Sequence, residues 1–294
     1  MLQQALLYIL VFISGLLFGS FLNLVSDRIL TKQKILTGRS KCDYCKIPLS
    51  PKNLIPLLSF VLQGGKCSSC KKKLSWYYPT SEVITGSIFI GAAAMSNIFQ
   101  VVNYSTIITF IYLLIVGSFF LVLFLTDLKY RIIPDKIVYP AIIFVVLFML
   151  INAGLFLALY YRQLSQDAFG VYLLKAGYFK LYAYNVIKAV GVDLFSAALI
   201  ASFFAFLVYI TKGKGMGGGD IRLGFLIGVF NGFPHNVIAI FLGFIMGAVL
   251  SLILVMLKLK TLKDTVPFGP FLIAGSFIAL LWGSNIWNFY INLF

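Results

Sequence analysis

The chain has 294 residues, of which 61% are hydrophobic and only 11% charged, and its mean hydropathy is +0.98. That balance excludes an ordinary soluble globular domain of this length and predicts an all-α polytopic membrane protein. The formal net charge of +15 suits basic loops beside anionic lipid, so it calls for a bilayer and for no nucleic-acid partner.

Residues 5–25 carry no charge and lack the basic start and small-residue cleavage site of a signal peptide, so they read as a retained span. Residues 83–126 form an uncharged tract of 44 residues, enough for two spans of about 20 residues each. The polar dip "NIFQVVNYS" at 97–105 is the turn between them. Residues 137–161 and 194–211 supply a fourth and a fifth span. Residues 223–257, interrupted by "NGFPHN" at 231–236, supply a sixth and a seventh, and the stretch from Thr265 onward supplies the eighth. Of 24 Lys and Arg, 20 fall in four clusters: residues 28–73, 129–136, 212–222 and 258–263. With about eight spans and the N-terminus outside, all four clusters face the cytoplasm, as the positive-inside rule requires. The sixth span is short and is expected to be tilted, buried among its neighbours or re-entrant. Three segments follow: a first transmembrane helix at 1–26, a cytoplasmic loop at 27–81, and a membrane core at 82–294 with an outside segment at 162–188. That outside segment mixes aromatic residues with sparse charge and is expected to form interfacial helix.

All four cysteines lie in the first cytoplasmic loop, as "CDYC" (Cys42, Cys45) and "CSSC" (Cys67, Cys70). Two C-x2-C knuckles 21 residues apart match one closed tetrahedral site, a zinc-ribbon-like loop. Four thiolates leave no open coordination position, so the zinc would be structural. Nearby lysines favour the thiolate form, and a cytoplasmic setting argues against disulfides.

Of nine acidic residues, most read as structural. Asp43 sits in a knuckle, Asp27 adjoins Arg28, and Asp167, Asp193 and Asp264 are loop or helix-end residues. Glu82 reads as a first-turn acid favoured by the helix dipole, and Asp135, after Pro134, as an N-cap. Asp127 and Asp220 are different. Asp127 ends the apolar run "IYLLIVGSFFLVLFLT", where an acid opposes the helix dipole. Asp220 closes "GKGMGGGD" as the sixth span begins. Both lie at the same face and depth, where an ionisable group is a functional candidate. Paired, one aspartate can hold a proton and polarise a carbonyl while the other activates water; unpaired, they are helix-end acids bonded to Lys129, Arg131 or Arg222. Gly213, Gly215, Gly217, Gly218 and Gly219 offer a backbone that can take positive φ and approach an extended peptide closely. No strand precedes the run and no Lys-Ser/Thr follows it, which weakens a phosphate-binding reading.

Six motifs together resemble the type IV prepilin peptidases, membrane aspartic proteases of the GxGD type: "FGSFLNLVSDR", "CDYC…CSSC", "WYYPTSEVITG", "TDLKYRIIPD", "GMGGGDIRL" and "VPFGPFLIAG". The resemblance implies Asp127 and Asp220 as the catalytic pair, with Gly217, Gly218 and Gly219 beside the substrate. It implies type IV prepilin or pseudopilin substrates, cut on the cytoplasmic side between a basic leader and a hydrophobic helix. It also implies a prokaryotic inner (plasma) membrane location. Family members with the cysteine loop often N-methylate the new terminus with S-adenosyl-L-methionine, which makes that second activity an expectation here. Two alternatives stand beside it: a GxGD protease for another membrane substrate, and a transporter using the two aspartates as a proton or cation site. The sequence does not specify an oligomeric state. "SDR" in the first motif and the long 162–188 segment depart from the family pattern.

Overall fold

The computed structural model describes residues 2–31, 33–34, 40–42, 44–213, 215–259, 261 and 266–293. Asp43 and Asp264 lie outside these described residues. Among the described residues every long element is an α-helix, and two isolated antiparallel bridges are the sole extended pairings. The chain divides into two compact units, Met1–Tyr130 and Arg131–Phe294.

In the first unit, α1 (Leu2–Leu30), α3 (Tyr77–Ser96) and α4 (Tyr104–Tyr130) pack on one another. The cysteine loop between α1 and α3 carries a 3-10 turn at Pro51–Leu54 and the short α2 (Leu58–Leu62). Within a bilayer, apolar side chains gain little by leaving lipid, so helices associate where small residues let backbones close in. Gly15 and Gly19 provide this on α1. A β-carbon on Gly15 would lie 2.7 Å from the Gly86 Cα, and one on Gly19 would lie 2.9 Å from the Glu82 Cα. The α1–α3 contact is thus a backbone-close one, and buried Asn23 donates to Ser81 Oγ at 2.7 Å across it.

In the second unit, α8 (Gly218–Asn231) is surrounded by α5 (Asp135–Gln166), α7 (Tyr178–Ile210), α9 (His235–Met256) and α10 (Gly269–Ile291). α8 has 14 residues, about 21 Å of rise, against a hydrocarbon core of about 30 Å. Its Leu223, Leu226 and Ile227 are fully buried, so protein rather than lipid surrounds its apolar flanks. Of the three expectations for the sixth span, burial among its neighbours is the one observed.

All eight expected segments are helical, and six of them are long and apolar enough to cross a membrane. The other two are α8, which is too short, and α3, whose first half "YYPTSEVITG" is rich in hydroxyls and holds a carboxylate. Residues 162–188 are not a separate stretch of surface helix. They comprise the end of α5, the short α6 (Ala168–Lys175) and the start of α7. α6 exposes Phe169 and Tyr172.

Candidate functional site

The cysteine loop is built from two near-identical turns. In the first, the Cys42 amide donates to Ile47 O at 3.1 Å and the Lys46 amide returns to Cys42 O at 2.9 Å. In the second, the Cys67 amide donates to Lys72 O at 2.9 Å and the Lys71 amide to Cys67 O at 3.0 Å. Lys46 and Lys71, each directly after its knuckle's second cysteine, both take positive φ, 58° and 55°. The turns bring one sulfur from each of Cys42, Cys45, Cys67 and Cys70 within 4.8 Å of one another. Cys42 and Cys70 are 3.9 Å apart; a tetrahedron with metal–sulfur bonds of about 2.3 Å has edges near 3.8 Å. The Cys70 and Ser69 amides point at Cys67 and hold its thiol down to about 6. The Ile47 amide lowers Cys45, but burial and the neighbouring Cys42 and Cys70 thiols outweigh it and push Cys45 up to about 11. Four sulfurs this close cannot all ionise without a cation among them.

Asp127 lies in the last turn of α4 and is 6% exposed. Two residues on, Lys129 Nζ bonds Asp27 Oδ1 at 2.8 Å, and the Tyr130 hydroxyl donates to the same oxygen at 2.8 Å. Lys129 also sits over the rings of Tyr77, Tyr78 and Tyr130 at 5.3–5.8 Å. Asp27 is therefore more than an end-of-span acid; it clasps α1 to the turn of α4 that carries Asp127.

Asp220 is in the first turn of α8 and is 8% exposed. Its Oδ2 accepts the Gly217 amide at 3.0 Å, while its own amide donates to Gly217 O at 3.1 Å. Such a reciprocal box satisfies amides that a helix start would otherwise leave unpaired. Arg222, two residues on, forms an ion pair with Asp135 and lies over the Tyr139 ring at 5.4 Å. Asp135 is thus the first residue of α5 and an ion-pair partner, and Pro134 occupies the N-cap position.

The glycine run is not one pliable loop. Gly217 is the extended N-cap of α8 at φ −90°, and Gly218 and Gly219 belong to its first turn. Among the described glycines of the run, only Gly213 takes positive φ, 73°. Gly219 is required by contact: a β-carbon there would meet Ile133 Cβ at 2.9 Å. Gly218 has nothing within 4 Å of that position, so it leaves open backbone beside Asp220.

The residue that sequence reasoning undervalued is Glu82. It is the sixth residue of α3, beyond the first turn, and only 7% exposed. Its Oε2 accepts the Leu57 amide at 2.9 Å, tying the start of α2 to α3. The available signal was its depth in an apolar helix, where a carboxylate needs a partner. It lines a cavity of about 730 Å³ in the first unit, together with Arg28, Ser20, Tyr78 and Phe60.

Residues 13–96 match the Bacterial Peptidase A24 N-terminal domain, and residues 113–252 match the Type IV leader peptidase family. A protein of Bacillus subtilis (strain 168), named prepilin leader peptidase/N-methyltransferase, is 31% identical over 284 residues, covering 97% of this chain and 98% of its own length. Proteins of the same name from Pseudomonas aeruginosa and Aeromonas hydrophila are each 27% identical. They cover 95% and 98% of this chain and 91% and 95% of their own lengths. No solved structure matches the chain significantly.

Proposed function

The chain belongs to the type IV leader peptidase family, and on that premise we propose that it is a membrane aspartic endopeptidase with Asp127 and Asp220 as its catalytic pair. The observation that carries the assignment is that each of the two acids is buried at a helix end, with its nearest downstream cation committed to another aspartate.

In the reaction, the ionised aspartate takes a proton from water as the oxygen attacks the scissile carbonyl. The protonated aspartate donates to the carbonyl oxygen, and proton return to the leaving nitrogen completes cleavage. Gly217, Gly218 and Gly219 expose backbone along which an extended substrate can lie. The substrates are prepilin-type proteins, whose basic leader stays at the cytoplasmic surface while the following apolar helix enters the bilayer. The clustered cations support a cytoplasmic orientation for the cysteine loop and both aspartates in a prokaryotic inner membrane.

Cys42, Cys45, Cys67 and Cys70 hold a structural zinc that fixes the loop and takes no part in bond cleavage. The relatives' names include an N-methyltransferase activity, and we assign it here too, with S-adenosyl-L-methionine as donor. When bound, that donor would supply an electrophilic methyl group to the neutral amine of the new N-terminus. Neither alternative, another membrane substrate or a transporter, is favoured by the family or by the relatives' names.

The test is incubation of the purified protein in lipid with a model prepilin, followed by mass spectrometry. Cleavage after the leader is expected without the methyl donor, and one added methyl group with it. Intact substrate under both conditions, from a folded and zinc-loaded protein, would refute the proposal.

A further inference from the structure

For a helix in a water-facing loop, α2 is turned inside out. Ser59, Phe60 and Gln63 line the cavity of the first unit, and Gln63 Nε2 donates to Asn53 Oδ1 at 3.1 Å. The other face carries Leu58, Val61 and Leu62, all exposed, the last two by 71% and 77%. Their spacing makes one apolar stripe, and Ile55 and Trp76 are exposed as well. A loop surrounded by water would show Ser59 and Gln63 to solvent and turn the leucines inward. Grouped, exposed apolar side chains rimmed by polar ones mark a docking surface.

Depth and charge identify what covers this face. The Leu57 amide, directly before α2, bonds Glu82 of α3. Glu82 is level with Gly19 of α1, since a β-carbon on Gly19 would lie 2.9 Å from the Glu82 Cα. Gly19 lies within Gln3–Leu30, a stretch long and apolar enough to cross a membrane. The Phe60 ring is 5.0 Å from that of Trp76, which directly precedes α3, and tryptophan favours the membrane–water interface. α2 therefore lies alongside the first two turns of α3, at the level of a span rather than beyond its end. Residues 44–81 hold six lysines and no Asp or Glu. Lys66 closely follows α2, and Lys71, Lys72 and Lys73 follow the knuckle whose Ser68 Oγ accepts from Asn53 Nδ2 at 2.9 Å. All four lysines are exposed. Such a surface repels a second copy of itself and the basic leader of the proposed substrate, and it suits anionic headgroups.

We propose that α2 docks into the lipid leaflet beside the start of α3, with Leu58, Val61 and Leu62 among the acyl chains and the lysines of 66–73 over anionic phospholipid headgroups. Amphipathic helices lie in an interface by this division, with apolar side chains below the headgroups and cations among them. Five helical residues would bind a bilayer weakly by themselves. Here α1 and α3 hold both ends of the loop at the membrane, so docking is intramolecular and works at high effective concentration. The docked helix carries the second cysteine knuckle with it through Gln63, Asn53 and Ser68, and Leu57 pins it to Glu82. The bilayer thus acts as a support of the cysteine loop, whichever reaction the chain performs.

The experiment reads lipid contact, not turnover. The zinc-loaded full chain is placed in nanodiscs of equal parts phosphatidylglycerol and phosphatidylcholine, with a trace of phosphatidylcholine bearing a carbene-forming group on its acyl chain. Irradiation and peptide mass spectrometry then map the adducts. Label is expected on residues 55–62 as well as on α5, whose exposed Ile143, Leu147 and Ile151 serve as the internal control. Leu58→Glu with Leu62→Glu should cut the loop labelling about tenfold, because carboxylates are expelled from the acyl region, while α5 labelling and zinc content stay unchanged. Leu58→Ser with Leu62→Ser, a milder change, is expected to act in the same direction and guards against loss of zinc. In discs of phosphatidylcholine alone the loop labelling should fall several-fold, since the lysines lose their anionic partners. Natural protein labelled on α5 but not on 55–62 would overturn the proposal. So would unchanged loop labelling in both zinc-loaded variants, or equal loop labelling with and without phosphatidylglycerol. An unlabelled loop together with dimers in native mass spectrometry would give the face to a second copy instead.

Discussion

The two units carry their candidate aspartates in parallel settings. In Met1–Tyr130 the order is Asp127, Leu128, Lys129; in Arg131–Phe294 it is Asp220, Ile221, Arg222. In each, the cation two residues on pairs with an aspartate at another helix end and lies over tyrosine. They differ in strength. The first clasp has a 2.8 Å ion pair, a second 2.8 Å bond from Tyr130 and three surrounding rings, with its charged side chains 32% and 29% exposed. The second has one ion pair and one ring, and its Asp135 is 58% exposed. The helix ends differ too: Asp127 opposes its helix dipole, whereas Asp220 favours its own and is boxed by Gly217. The first turn needs outside restraint to hold an acid in place; the second holds its acid through its own backbone.

This difference orders the expected effects of substitution. The largest is Cys67→Ser, which removes one of four sulfurs gathered within 4.8 Å of one another. Zinc stoichiometry should fall well below one per chain by atomic absorption, and protease resistance of the loop should be lost with it. Full zinc retention would remove the metal from the account of the first unit. Next comes Gly219→Val, where the new side chain must displace Ile133. Overpacking of this kind costs about 1–3 kcal/mol, and a lower unfolding midpoint with impaired cleavage is expected. Gly218→Ala, with open space around it, should leave the midpoint unchanged or slightly raised.

The clasps themselves give the smaller effects. Asp27→Asn should destabilise by about 1 kcal/mol, given a partly exposed pair with an added hydroxyl bond. Asp135→Asn should cost only a few tenths of a kcal/mol, because a more exposed pair is screened by water and salt. Denaturant midpoints in detergent would check both, and equal losses would erase the distinction drawn between the units.

Much of this was legible from residue patterns. The cysteine site could be read because two fixed spacings encode one geometry, and the closely grouped sulfurs follow it. The eight helical segments could be read because apolar length is a one-dimensional property. Glu82 was harder: its value comes from Leu57, 25 positions away, and no local pattern announces that hydrogen bond. Asp27 and Lys129 are 102 positions apart, and their pairing depends on how α1 meets α4. The glycine run was misjudged as uniformly pliable because composition does not show where a helix begins. Gly219 is small on account of Ile133, a neighbour in space only.

The central proposal is that cleavage requires both Asp127 and Asp220. Single-turnover cleavage of a model prepilin by Asp127→Asn, Asp220→Asn and the double variant, each checked for zinc content and folding, tests it most directly. The account predicts that either single change reduces cleavage to background and that the double variant is no worse, since groups acting as one unit are not additive. A folded single variant that cleaves at the natural rate would contradict it.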